Sequence, residues 1–420
     1  MHRSTAENMR SIPFLLLLGL PVLSAQVAPQ SNYEVLEPVP AANFIPAVLM
    51  TNTHCTVAPM AQTDGLHLTY TLQSPAGTES IVGTQSLITR VTEMKALVAL
   101  DEIDNSEEFG KALLKAGAEK VGSVRDVVKD PLGTVQRLPL GASRLLGRVS
   151  TSVKNAAEGN ADPRAGAQQV LGVRRMKNEL AARFGVSPYS RNALLQNKLD
   201  ATARAMAGGA LVVNLSGLMF TGGVGTAISV VGVNQTLQRT LIESTPEEMA
   251  VKNRAILLAL KAAPDAVEGF LSNPSLSPWQ KTILTAELKD IGLNPDPFLR
   301  LASKPATQEE VLDEMQIMQI LLKHHKEIAP IVSIISISEV AGALAALDAN
   351  GTLVTPVSAD LILWSATKES GADALLKMAK EDPRVKHVTL VTDGLVSARA
   401  MEEFDKRGIF ATPQALGPLR

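Results

Sequence analysis

The chain has very little cysteine: Cys55 is the only one in 420 residues. No intramolecular disulfide can form and no disulfide-linked partner is expected, so burial of apolar surface has to hold the fold. Aromatic side chains are also scarce, with two Trp and three Tyr, which leaves little material for the flat platforms on which sugars stack. The usual catalytic signatures are missing as well. There is no Gly-x-Ser-x-Gly elbow, no His-Glu-x-x-His helix, no Walker loop and no Cys-x-x-Cys pair. Gly223-Val224-Gly225 begins like a dinucleotide fingerprint, but Ile228 stands where the third glycine belongs. No cofactor is expected. Histidines after His2 number five: His54, His67, His324, His325 and His387. His54 and Cys55 would point to opposite sides of a strand, and His324 and His325 to different faces of a helix, so neither pair makes a metal site. No metal is expected, and the two adjacent histidines suit the negative end of a helix dipole.

The N-terminus carries Arg3 and Arg10 ahead of an apolar run from Ile12 to Leu23, closed by Ser24 and Ala25. A positive start, a short apolar core and a small-residue exit are what a signal peptidase reads, and the core is too short to span a bilayer. The expectation is an exported protein of the periplasm or cell envelope, cleaved near Ala25. The formal charge of −2 conceals a segregation. Between Lys111 and Arg204 there are seventeen Lys and Arg against seven Asp and Glu, an excess of ten, so the remainder carries −12. A basic block in an otherwise acidic exported chain points to an anionic partner, and in an envelope that means lipid headgroups or acidic polymer rather than nucleic acid.

Hydrophobic periodicity predicts an α+β, mainly helical fold. Residues 26–50 read as an extended lead-in. Within 51–100, Leu66, Leu68 and Tyr70 alternate with His67, Thr69 and Thr71, and Ser74-Pro75-Ala76-Gly77 marks a turn before Ile81 and Val82, which together predict a β-hairpin. A helix is expected from about Val91 to Leu100. Residues 101–330 read as a helical bundle, with helices near 167–184, 192–207, 246–271, 278–291 and 308–328. In its first part Leu114, Val121, Val124 and Val128 share one face, while Lys111, Lys115, Arg125 and Lys129 fall elsewhere; Arg144 and Arg148 flank the later Leu145, Val149 and Val153 stripe. These six basic residues are the candidates for contact with a membrane surface.

No charged residue occurs between Ala205 and Gln238, and Leu211 to Val233 is apolar and glycine-rich. Such a stretch suits a spanning helix or a buried helical hairpin turning at Gly222-Gly223. The buried hairpin is preferred, because a single span after a cleaved leader would return the C-terminal part to the cytoplasm. Residues 331–420 read as a small α/β unit: β-branched Ile331 to Ile337, a hairpin at Asn350-Gly351, a strand at Leu361 to Trp364, a helix near Ala372 to Lys380, a strand at Val388 to Val391 and a helix from Ser397 to Arg407. Asp393 and Ser397 lie there between a strand's carboxyl end and a helix's amino end, where open α/β sheets bind ligands. A capping role accounts for Ser397 equally well.

Four blocks spread through the chain resemble a family of uncharacterised exported bacterial envelope proteins. They are DPLGTVQRLPLGASRLLGRV at Asp130 to Val149, FGVSPYSRNALLQNKLD at Phe184 to Asp200, FLSNPSLSPWQKTIL at Phe270 to Leu284, and SARAMEEFDKRGI at Ser397 to Ile409. The resemblance implies a bacterial envelope location and carries no activity and no catalytic residue. Two functional expectations follow from the residues. One is a non-enzymatic envelope protein associating with anionic membrane or a membrane partner through its basic helices. The other is a hydrolase or small-ligand binder with its site near Asp393, which requires a deep pocket with acidic or histidine partners from elsewhere in the chain.

Overall fold

The computed structural model describes residues 32–52, 54–75, 77–104, 163–207, 234–328, 334–340 and 343–417. The fold is α+β and mainly helical. Its first layer is an antiparallel sheet of β1 (Val39–Pro40), β2 (Thr56–Val57), β3 (Met60–Thr63), β4 (Leu68–Ser74) and β5 (Gly77–Val82). The alternation works as a half-buried strand requires: Leu68, Tyr70 and Leu72 of β4 are buried, and the residues between them are not. β4 pairs with β5 from Thr69 opposite Val82 to Ser74 opposite Gly77, which is the expected hairpin. The buried face packs on Leu87, Ile88 and Val91 of α2 (Thr84–Asp104), which begins well before Val91, and on Leu361 and Leu363 from the far end of the chain. A short helix, α1 (Ala47–Met50), precedes β2.

The helical layer comprises α3 (Pro163–Phe184), α4 (Ala193–Ala207), α5 (Gln235–Glu243), α6 (Pro246–Ala259), α7 (Pro264–Ser272), α8 (Pro278–Ile291), α9 (Asp296–Leu301) and α10 (Gln308–Ile328). Helix starts follow the sequence punctuation. Thr245 with Glu248, and Ser277 with Gln280, form capping boxes with proline in the first turn, and Gly292 ends α8 in the left-handed conformation at φ 77°. The single helix expected over 246–271 is two helices. Pro264 has no N–H to give, and Ala263 before it is extended, so α6 ends and α7 starts afresh. The buried Phe270, Trp279, Leu284, Phe298, Met315 and Leu321 form the common core of α7 to α10, and Ile337 and Leu344 of the C-terminal sheet join it.

The C-terminal sheet has the order β12-β10-β8-β7-β6, with β6 (Ile334–Val340), β7 (Ala343–Asp348), β8 (Thr352–Val357), β10 (His387–Thr392) and β12 (Ile409–Thr412). β8, β10 and β12 run parallel, whereas β6 and β7 are antiparallel additions. β7 and β8 turn at Asn350-Gly351, where Gly351 takes φ 89° and its missing Cβ leaves room for the Arg384 carbonyl. A two-stranded parallel patch, β9 (Leu361–Ile362) with β11 (Leu395–Val396), sits beyond the sheet's carboxyl edge. Helices α11 (Ala366–Glu381) and α12 (Ala398–Lys406) cover one face through Leu375 and Phe404, with Trp364 edge-on to Phe404.

Lys111, Lys115, Arg125, Lys129, Arg144 and Arg148 lie outside the described residues, and so do the expected leader and the Leu211 to Val233 stretch. Among the described residues no helix is long and apolar enough to cross a membrane.

Candidate functional site

Two loops leave the carboxyl ends of neighbouring parallel strands, Ser358-Ala359-Asp360 after β8 and Asp393-Gly394 after β10. They are pressed together. A Cβ on Gly394 would stand 2.0 Å from the Ala359 carbonyl oxygen and 2.5 Å from that of Asp360, so only glycine fits. This close approach lets Asp393 Oδ1 accept a hydrogen bond from the Ala359 N–H at 3.0 Å. Helix α10 lies across the loops: Gln316 Nε2 donates to Asp393 Oδ2 at 3.2 Å, and Asp313 Oδ1 accepts from Ser358 Oγ at 2.8 Å. From the N-terminal layer comes His67, just before β4. Its Nε2 is 3.3 Å from Asp313 Oδ2 and its Nδ1 is 4.0 Å from Asp360 Oδ2.

These groups wall a cavity of about 640 Å³, bounded further by residues 42–46, the start of α2 from Thr84 to Ser86, Glu309, Gln319 and Gln414. Among the described residues that line it there is no lysine or arginine. Asp360 is the most deeply buried of the carboxylates: its Oδ2 accepts from Leu68 N at 2.7 Å and its Oδ1 from Thr84 N at 3.0 Å. Burial raises its pKa, against the opposing effect of the hydrogen bonds from Thr84 and Leu68 and the charge of His67. Asp393 is pushed up to about 7, mainly by burial; the Ala359 N–H pulls it down, and the charges of Asp360 and Asp313 push it further up. For His67, burial pulls the imidazole down, but the hydrogen bond and charge of Asp313, with Asp360 and Asp64, outweigh it and leave the pKa raised. Burial thus holds the Asp393 carboxyl close to its titration midpoint at neutral pH, beside the Asp313 carboxyl and the His67 imidazole, which is the raw material of acid–base chemistry.

Of the two residues that the sequence picks out here, Asp393 lines the cavity and Ser397 does not. Ser397 caps α12, accepting from Ala400 N at 3.0 Å, and its hydroxyl donates to Glu34 Oε2 at 2.6 Å. Sequence reasoning did not single out Asp313, Ser358 and Asp360, and it placed His67 only on the polar face of a strand. Ser358 and Asp360 carried a usable signal, since they follow a parallel strand as Asp393 does. His67 and Asp313 did not, because only the tertiary fold brings a strand entry and a helix face to these loops. Among the described residues no group of three or more His, Cys, Asp or Glu side chains is arranged to hold a metal ion. His54 and Cys55 lie elsewhere, with Cys55 buried against Asn52.

No family model, curated protein or solved structure matches this chain. The functional reading therefore rests on the site itself.

Proposed function

We propose that the cavity is a hydrolytic acid–base centre acting on a polar molecule that is neutral or cationic. The observation that carries this reading is the convergence of Asp393, Asp313, Asp360 and His67, from three separate parts of the chain, on one cavity at the carboxyl ends of parallel strands. Asp393, protonated near neutral pH, is the general acid, and Asp313 is the base. A water molecule attacks the substrate's acyl or acetal carbon and gives a proton to Asp313 while its oxygen bonds to that carbon. The bond to the leaving group breaks, and the Asp393 proton passes to the leaving atom. Proton exchange with solvent then restores both carboxyls. Ser358 and His67 fix the Asp313 carboxylate, and Gln316 and the Ala359 N–H hold the Asp393 carboxyl group in place. Among the described residues that line it there is no lysine or arginine, which favours a neutral or cationic substrate over a phosphate ester.

The test is turnover of a panel of p-nitrophenyl esters, p-nitrophenyl glycosides and peptide p-nitroanilides by the wild-type protein and by Asp393→Asn and Asp313→Asn. A substrate whose hydrolysis falls at least about 100-fold in both variants supports the reading. No turnover across the panel, or turnover indifferent to both substitutions, would sink it.

A second reading, association of an exported protein with an anionic membrane surface, is carried by the basic excess between Lys111 and Arg204. Part of the basic charge in this span is used inside the fold. Arg175 pairs with Glu243, Lys177 with Asp200, Arg183 with Glu179, and the buried Lys198 with Asp101. The reading thus depends on Lys111, Lys115, Arg125, Lys129, Arg144 and Arg148. Co-sedimentation with anionic vesicles that disappears at high salt supports it, and equal recovery with neutral vesicles contradicts it. The two readings address different parts of the chain and can both hold.

A further inference from the structure

A second cleft of about 390 Å³ adjoins the acid–base cavity, and Ser86 and Glu309 line both. Its floor is β5 together with the first turns of α2, through Ile81, Thr89 and Arg90. Arg90 is engaged there by Glu79 and Glu93. The cleft thus follows β5 toward the cavity, where Val82 and Gly83 enter the wall.

Among the described residues β5 pairs with β4 alone, so its other side is a free strand edge. The phase of the ladder fixes which backbone groups that edge presents. Gly83 N donates to Leu68 O at 2.8 Å, so Gly83 faces β4. Alternation in an antiparallel pair then turns the N–H and C=O of Val82, Ser80 and Thr78 outward.

From this juxtaposition we infer that the substrate is a polypeptide in extended conformation, which adds to the free edge of β5 and so delivers a backbone amide to Asp393 and Asp313. This deepens the acid–base reading and rests on it. Main-chain pairing to an exposed edge binds an extended peptide with little demand on side-chain identity. Saccharide chains are the weaker occupant, because among the described residues Phe44 is the only aromatic one lining either cleft and sugars bind by stacking.

The experiment is hydrogen-exchange mass spectrometry of the full chain, as wild type and as Asp393→Asn. The probes are a random acetylated hexapeptide-amide library and, separately, cellohexaose and tetra-N-acetylchitotetraose. The expected result is slowing of exchange in segment 77–82 on the order of tenfold with the peptides and none with the saccharides. Ser80→Pro removes one outward N–H from an edge where proline is tolerated, and should weaken the peptide effect about fivefold. Slowing confined to 358–360 and 392–394, or produced by saccharides alone, would overturn the peptide inference and leave the acid–base centre standing. No slowing at either place, with no turnover of the chromogenic panel, would remove both.

Discussion

The carboxylate of Asp360 accepts the backbone N–H of Leu68 at 2.7 Å across 292 residues of chain. Its other oxygen takes the N–H of Thr84, the first residue of α2, at 3.0 Å. One side chain from the C-terminal loops therefore satisfies a strand and a helix start of the N-terminal layer. The backbone repeats the tie, since Asp360 N and Leu361 N both donate to Leu66 O. The site exists because these two layers are bound at this point: His67 and the α2 start are held against loops that could not otherwise reach them.

Asp360→Ala should cost about 3 kcal/mol, because it removes the acceptor that the N–H groups of the buried Leu68 and Thr84 share. Urea unfolding at pH 7 measures this. A loss below about 1 kcal/mol would mean that water or a shifted loop replaces the carboxylate. Asp360→Asn keeps one acceptor and should fall between Ala and wild type.

Gly394→Ala is expected to be as damaging, for a steric reason. The added methyl would lie 2.0 Å from a backbone oxygen, and neither loop has a flexible side chain that could yield. Forced separation of the loops also breaks the Ala359 to Asp393 hydrogen bond. A loss on the order of 3 kcal/mol, together with loss of activity, is the expected outcome. Full activity in this variant would show that the close approach is dispensable.

Ser397→Ala separates the cap from the site. It removes the α12 cap and the bond to Glu34, whose carboxylate also accepts from Trp364 N at 2.5 Å, and should lower stability by about 1 kcal/mol. Because Ser397 lies outside the cavity, kcat/KM should not change. A large fall in kcat/KM with unchanged stability would place Ser397 in the reaction.

The architecture was readable where physical signals are local. The boundaries of α8 and α10 coincide with the expected 278–291 and 308–328, because Ser277-Pro278 and Thr307 announce the starts and Gly292 announces an end. The hairpins at residues 74–77 and 350–351 were equally legible from turn chemistry. Short elements were not: α5, α9 and the edge strand β12 are too brief for periodicity to register. Of the four converging site residues, one was legible. Asp393 was found from its place after a strand, but His67, Asp313 and Asp360 depend on long-range contacts that no local pattern encodes.

Titration of Asp393 links stability and activity. Its folded-state pKa is raised to about 7 from the ordinary 3.8, so between those values the native protein keeps a proton that the unfolded chain has released. Its contribution to stability is therefore full below about pH 4 and is lost as pH rises to about 7, to an upper bound of about 4 kcal/mol. Asp393→Asn carries no charge to desolvate, and its amide can still accept from Ala359 while Gln316 turns its own amide to match. The variant should be more stable than wild type at pH 8, by about 2 kcal/mol, and indistinguishable from it at pH 4. Urea unfolding at the two pH values reads this difference. For the wild type, kcat/KM should fall tenfold per pH unit above about 7, as the general acid loses its proton. A variant less stable than wild type at pH 8 would mean that the Asp393 carboxylate is stabilised in the fold rather than strained by it. Stability and the acid role would then fail together, since both derive from the same buried proton.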